Sequence, residues 1–353
     1  MSSPRLPPRR IVAVAIGLAS AVFGYSAYWF HAAGLVRDSV VTWAEERRSL
    51  GWQVDYSGLA INGFPTHITA TFRQPAITSP HGLGWRGETL TARASVFDLR
   101  HLHLSAPGHH DLTLGAWTAS ADAGDLHGEV GFDAAGRVHE GHFGGSAIRF
   151  ASAGFAETTV EALDVSLMAR DQSPTADHQT ATLHFTAAAT GISLPAMPEL
   201  VLDRRVAMAE IDGRVLGPFP AGPPLDALRE WSDNGGTVAI DRLALEWAPM
   251  ALDANGTFAF DPRMQPLAAF SAHVRGYGAL MDRLARNGVV EPGAAAAAKL
   301  FLSMMAKPDS QGRAAIPVPI TLQDGQLSLG PAMIATFPPI PWPAHPPHPA
   351  SPG

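Results

Sequence analysis

Leu163-Asp164-Val165-Ser166-Leu167 places an apolar residue at every second position and a polar one between. Successive side chains of a strand point to opposite faces, so this run puts three residues on a buried face and two on a solvated one. The alternation recurs on both sides. Leu102 and Leu104 alternate with His101 and His103, Leu112, Leu114 and Ala116 with Thr113 and Gly115, and Phe258 pairs with Phe260 across Ala259. Turn residues fall between such runs at Pro107-Gly108, Ala135-Gly136, Asn234-Gly235-Gly236, Asn255-Gly256 and Asp324-Gly325, the last a hairpin signal because both residues tolerate positive φ. From Trp52 onward the chain reads as a meander: a mainly β (α+β) fold, with a curved antiparallel sheet and a few packed helices. One run slips register. Val238 and Ile240 are apolar at even positions and Leu243, Leu245 and Trp247 at odd ones, so Asp241 and Arg242 mark a bulge or a strand end.

Helical spacing returns at Pro224 to Trp231, at Tyr277 to Arg286 before the stop signal Asn287-Gly288, and at Ala294 to Ala306 after Pro292. The densest breaker, residues 217–224, divides a β-rich first lobe (51–216) from a second lobe (225–337), as a linker or an inter-lobe loop. Residues 338–353 carry so many prolines that an extended, mobile tail is expected. Its Pro343-Ala-His-Pro346 spacing resembles a peptide-recognition motif.

Ile11 to Phe30 is an apolar run without charge, preceded by Arg5, Arg9 and Arg10. About 20 helical residues cross a hydrocarbon core of about 30 Å, so residues 11–30 are expected to be a single N-terminal transmembrane helix. Arg9 and Arg10 hold residues 1–10 in the cytoplasm, while Tyr25, Tyr28 and Trp29 gather at the far interface. A cleaved signal peptide with Ala19, Ser20 and Ala21 at its cleavage site is the rival reading. Either way the main domain is exported. Residues 31–50 continue as a juxtamembrane helix that Gly51 ends.

The chain has no cysteine, which excludes disulfides, thiolate zinc sites and a cysteine nucleophile. Its net charge of −7, with scattered basic residues, argues against a nucleic-acid partner. Charged residues make up 16% of it, against about 25% in an ordinary domain. Gly82, Gly84 and Gly87 match a dinucleotide fingerprint, but strand-like residues follow where a helix is needed, so a glycine-rich loop is expected and no cofactor. The 15 histidines raise the question of a metal site. His101 and His103 share a solvated strand face, His109 and His110 fall in the turn of the same hairpin, and His139-Glu140-Gly141-His142 lacks the four-residue helical spacing of zinc proteases. Gly145-Ser146 lacks the glycine that completes a nucleophile elbow. No catalytic or metal-binding residue is therefore assigned, and a non-catalytic protein is expected.

Three segments carry a family likeness: Gly51-Trp52-Gln53-Val54 leading through Gly58 to Asn62-Gly63-Phe64-Pro65; Gly256 to Asp261 followed by Gln265-Pro266-Leu267, Gly276, Leu280 and Leu284; and Asp324-Gly325 through Gly330-Pro331. Together they resemble the bacterial domain-of-unknown-function family 2125 and, more distantly, AsmA-like envelope proteins, over about residues 35 to 340. The first likeness implies no catalytic residue. The second implies a membrane-anchored β-rich domain with a role in lipid traffic or envelope upkeep. Physically, Gly63-Phe64-Pro65 reads as a tight turn with a buried aromatic and Asp324-Gly325 as a hairpin tip. The expected function is an envelope module on the inner membrane whose periplasmic sheet binds lipid or another apolar partner. A protein-interaction scaffold and a cell-wall or lipid hydrolase are the alternatives.

Overall fold

The computed structural model describes residues 8–152, 155–170, 177–195, 202–220, 222, 224–309 and 312–342; side chains of residues 8–17, 19, 155, 224, 332 and 334 lie outside that description. Helix α1 (Pro8–Ser49) joins both N-terminal helical stretches in one rod, about 63 Å long at 1.5 Å per residue. It stops where Gly51 turns left-handed at φ 84°. The Trp52 amide donates back to the Arg47 carbonyl (3.1 Å) and the Gly51 amide to that of Arg48 (3.0 Å), satisfying carbonyls the helix leaves open. Among the described residues no helix is long and apolar enough to cross a membrane. The expected crossing draws on residues 11–17 and 19, whose side chains are not described.

Strands follow in kinked pairs: β1 (Gln53–Asp55) with β2 (Gly58–Asn62), β3 (His67–Arg73) with β4 (Ala76–Thr78), β5 (Leu83–Gly87) with β6 (Thr89–Ser95), β7 (Asp98–Ser105) with β8 (Gly108–Leu114), and β9 (Trp117–Ala123) with β10 (Asp125–Phe132). Each kinked pair lies antiparallel to the one before it through both of its halves. Both β9 and β10 then pair with β11 (Val138–Ser152). The order continues through β12 (Phe155–Ala169), β13 (Ala181–Ser193), β14 (Arg205–Leu216), β15 (Thr237–Trp247), β16 (Met250–Phe260) and β17 (Pro266–Arg275). After a two-residue β18 (Lys307–Pro308), β19 (Ala314–Gln323) pairs with β17, and β20 (Gln326–Leu329) and β21 (Ala332–Thr336) finish the sheet. Spatial order is chain order throughout. The expected meander is what forms.

The kinks line up across the first strands. Pro75 and Pro107 have no amide donor for the ladder, and Gln74, Gly108 and Ala147 take positive φ (48°, 101° and 51°). Backbone bonds hold the ladder together through the bend: Gln74 N–H to the Glu88 carbonyl (2.8 Å), Ala106 N–H to Leu126 (2.8 Å) and Gly124 N–H to Ser146 (3.1 Å). The bend turns β4, β5, β8 and β9 toward the later strands. His81, in the β4–β5 turn, meets Asp226 of α2 (Pro224–Asp233) at 3.3 Å. Trp231 buries on the far side of that helix and donates its indole N–H to the Leu216 carbonyl (2.9 Å). Helix α3 (Tyr277–Arg286) packs beside β16, and α4 (Pro292–Met305) beside β19. α3 starts at Gly276, where a Cβ would sit 1.9 Å from the Pro249 carbonyl oxygen.

Several expectations are corrected. Asn255-Gly256 is the interior of β16, and Pro107-Gly108 is a kink rather than a hairpin turn. His109 and His110 are strand residues of β8, and β7 and β8 do not pair with each other. Gly84 and Gly87 belong to β5, not to a loop. Asp241-Arg242 marks a bulge in one continuous strand, with register shifts on both sides of β15. The 217–224 segment leads into α2 while β14 and β15 pair directly across it. Residues 338–342 are held rather than loose: the Ile340 amide donates to Gln265 Oε1 (2.7 Å) and the Trp342 indole to the Met264 carbonyl (2.7 Å). Residues 343–353, with the Pro343–Pro346 motif, lie outside the described residues.

This architecture makes one glycine exacting. A Cβ on Gly256 would lie 2.1 Å from the Ala269 carbonyl oxygen and 2.7 Å from Phe270 Cα, both backbone, whereas one on Gly293 meets nothing within 4 Å. Gly256→Ala should cost about 1–3 kcal/mol in urea denaturation, and Gly293→Ala should raise stability by up to about 1 kcal/mol. Equal midpoints for the two variants would contradict the register of β16 against β17.

Candidate functional site

The ladder lines up one apolar face strand by strand. Gly128 and Val130 of β10 lie opposite Phe143 and Gly141 of β11, and these oppose Val165 and Leu167 of β12. Next come Ala187 and Phe185 of β13, then Ile211 and Gly213 of β14, then Leu243 and Ile240 of β15. Ala254 and Gly256, Ala272 and Phe270, and Val318 and Ile320 carry the face through β16, β17 and β19. At about 4.8 Å per strand these strands span roughly 40 Å. Val165, Leu167, Phe185, Ile211 and Leu243 are only partly buried, and no large side chain among the described residues is completely enclosed. The face is curled inward but not filled.

Its floor has a recurrent construction that the sequence reading missed. Phe143 stands opposite Gly128, Phe185 opposite Gly213, and Phe270 opposite Gly256. In each case the ring lies where the glycine's Cβ would be: a built Cβ falls 2.6 Å from Phe143 Cδ1, 2.8 Å from Phe185 Cζ and 2.7 Å from Phe270 Cδ1. The rings fold down onto the neighbouring strand, so the floor stays smooth. The signal lay in the register, since each Phe and its Gly are on different strands.

Helices close the two ends. Trp29 of α1 is 4% exposed and packs with Ala33 on Ile68 and Val96, its indole donating to the His67 carbonyl (2.9 Å). The enclosed residues Ala254, Ala272, Val274 and Ile316 mark the α3–α4 end. Beyond Leu322 a cavity of about 620 Å³ opens between Leu114 and Trp117 of the β8–β9 turn, Pro266, Phe337 and Ile340. Gln265 bonds both the amide and the carbonyl of Ile340 (2.7 and 3.3 Å), fixing that wall.

The opposite face is polar and wet. His103 meets Glu129 (2.9 Å), His142 meets Asp164 (3.2 Å), His184 meets Asp212 (2.8 Å), and Arg214 grips Asp241 with two bonds (2.8 and 2.6 Å). Neighbours pair off, and among the described residues no three converge as metal ligands. One hydroxyl–histidine–carboxylate contact forms, with His142 Nδ1 2.9 Å from Ser166 Oγ and its Nε2 on Asp164. Ser166 sits in mid-strand between His142 and Thr186. The strands on both sides pair with β12 through this stretch, so the backbone amides around Ser166 serve the ladder. His110, placed in a turn by the sequence reading, is buried, donates its Nε2–H to the Ala106 carbonyl (2.8 Å) and stacks on Trp85.

Of the residues singled out from sequence, Tyr25, Trp29, Phe64 and Pro65 are brought together where α1 meets the β2–β3 turn, while Asp324 and Gly325 lie on the β19–β20 turn. Tyr25 bonds the Pro65 carbonyl through its hydroxyl, Trp29 is buried against protein rather than facing lipid, and Tyr28 is exposed. Arg9 and Arg10 lie on α1 with side chains outside the description. Gly63-Phe64-Pro65 forms the β2–β3 turn with Gly63 at φ 109°, but Phe64 is 48% exposed, so the buried aromatic expected there is corrected. Asp324 and Gly325 form the β19–β20 tip at φ 50° and 73°, where a Cβ on Gly325 would meet the Phe337 carbonyl at 2.5 Å.

Hydrogen bonding from Arg214 holds the Asp241 carboxyl below its ordinary value of 3.8. A depressed acid contributes stability that is present above its unfolded value and lost as pH falls through the folded one. Melting temperature should therefore fall below about pH 4, and Asp241→Asn should flatten part of that fall while costing about 0–1 kcal/mol at pH 7. An unchanged acid limb would contradict the pairing.

A family model described as an uncharacterized protein conserved in bacteria, DUF2125, matches residues 29–338. No curated protein and no solved structure matches the chain, so the more distant AsmA-like likeness is not shown.

Proposed function

Since the chain belongs to the bacterial DUF2125 family, we propose that it is a membrane-anchored, non-catalytic envelope module that holds lipid or another apolar partner along the inner face of its sheet. The carrying observation is that face: continuous from β10 to β19, smooth where rings cover glycines, and only partly buried at Val165, Leu167, Phe185, Ile211 and Leu243. Ordinary domains fill such a face with a second layer. Here α1 and the α3–α4 pair occupy its ends and α2 reaches from Leu216 to the β4–β5 turn, and the partly buried stretch between suits hydrocarbon, which needs area and no hydrogen-bond partners. The cavity beyond Leu322 extends the same apolar path.

α1 is the tether. Residues 11–30 cross the bacterial inner membrane once, with Arg9 and Arg10 inside and the sheet in the periplasm. The exposed Leu18, Val22 and Phe23, on the part of α1 that projects past the sheet, support this reading. Protease should degrade the domain in spheroplasts and spare it in intact cells; protection in both would put it in the cytoplasm.

A hydrolase is the second reading, and the Ser166–His142–Asp164 contact is what favours it. Turnover of a cell-wall or lipid ester that is lost in Ser166→Ala would establish it.

The binding test is native mass spectrometry of the full chain purified from membranes. Wild type and Ile211→Leu should carry phospholipid through delipidating washes, and Ile211→Asp should lose most of it while keeping its β circular dichroism. A lipid-free wild type would leave a protein-interaction scaffold as the function.

A further inference from the structure

We propose that the folded domain makes its own contact with the bilayer, through an aromatic collar built jointly by α1 and two strand turns. This rests on the reading of α1 as the membrane tether. Phe64 at the β2–β3 turn and Phe97 at the β6–β7 turn project beside the helix at the level of Tyr25, Trp29 and Phe30. Their rings form one connected set: Tyr25 contacts Phe64 and Phe97 (centroids 6.4 Å in each case), and Phe64 contacts Trp29 (5.5 Å) and Phe30 (6.0 Å).

Burial divides the set by task. Trp29 is enclosed and fastens the helix to the sheet, whereas Phe97 is 77% exposed, Phe30 65% and Phe64 48%. Large exposed rings at two separate turn tips, gathered around one helix, form a patch of the kind that marks an interaction surface. Continuity with the helix selects the occupant. One turn earlier on α1, Val22 and Phe23 are also exposed, so the patch carries on directly into the apolar rod.

Length argues the same way. Residues 11–24, between Arg10 and the first ring of the collar, rise only about 21 Å, so a hydrocarbon core of about 30 Å extends to the level of Tyr25, Trp29 and Phe30. If the domain stood clear of the membrane, the anchor would be strained; with the collar in the headgroup layer, Phe64 and Phe97 sit where amphipathic belts sit. The sheet then begins at the membrane surface, and the β3–β6 end of its apolar face, closed by Trp29, lies beside the lipid.

The absence of cysteine makes the test clean. Spin labels would be placed singly on Phe97→Cys, Leu99→Cys, Val22→Cys and, at the far hairpin, Gln326→Cys, in the full chain reconstituted into phosphatidylethanolamine–phosphatidylglycerol vesicles. Collision rates with oxygen and with a water-soluble nickel chelate give depth. Labels at 97 and 99 should show a several-fold lower nickel rate than the label at 326 and a depth at the headgroups. A water-like label at 97 and 99 beside a bilayer-like label at 22 overturns the collar and leaves the tether standing. A water-like label at 22 overturns both.

Discussion

The structure depends on one constraint: with each kinked pair counted as one unit, the long strands hydrogen-bond in chain order, so the face that a side chain joins is fixed by the parity of its position. Keeping the apolar residues in step across β10 to β19 therefore builds an uninterrupted apolar surface without any long-range topology. Where the chain must change step it uses a local device. The bulge at Asp241-Arg242 returns Leu243 and Leu245 to the side that Val238 and Ile240 occupy. Twist and the line of kinks through Gln74, Gly108 and Ala147 then curl the surface inward.

Much of this was legible in the sequence because the signals are local. Alternation at Leu163 to Leu167 marked β12, the parity slip after Ile240 marked the bulge, and Pro292 and Asn287-Gly288 bounded the helices. What could not be read was whatever rests on register between strands. Asn255-Gly256 carries turn chemistry, yet Gly256 is needed because β17 approaches so closely that a Cβ would strike the Ala269 carbonyl. Phe143 and Gly128 are also unremarkable until pairing sets them face to face. Trp29 matched an interfacial belt by composition, but its indole found a carbonyl and its ring a pocket on the sheet.

The candidate site was legible as a class of surface and not as residues. Low charge and abundant Leu, Val, Phe and Ala indicated apolar area; whether that area was filled depended on what covered it. The polar face shows the converse. Its many histidines suggested chemistry, and the fold spreads them along neighbouring strands where His103, His142 and His184 take the carboxylates of Glu129, Asp164 and Asp212. Paired neighbours of this kind stabilise a wet face only modestly. Burial at His110 is the exception, and there the ring serves packing, stacked on Trp85.

The central claim is that the inner face, and not the outer one, meets hydrocarbon in the living membrane. Photo-crosslinking measures this directly: a benzophenone side chain installed at position 185, on the apolar face, or at position 142, on the polar one, is irradiated in intact cells, and adducts on the full chain are identified by mass. The account predicts lipid adducts from position 185 and none from position 142. Protein adducts alone from position 185, or lipid adducts from position 142, would contradict it.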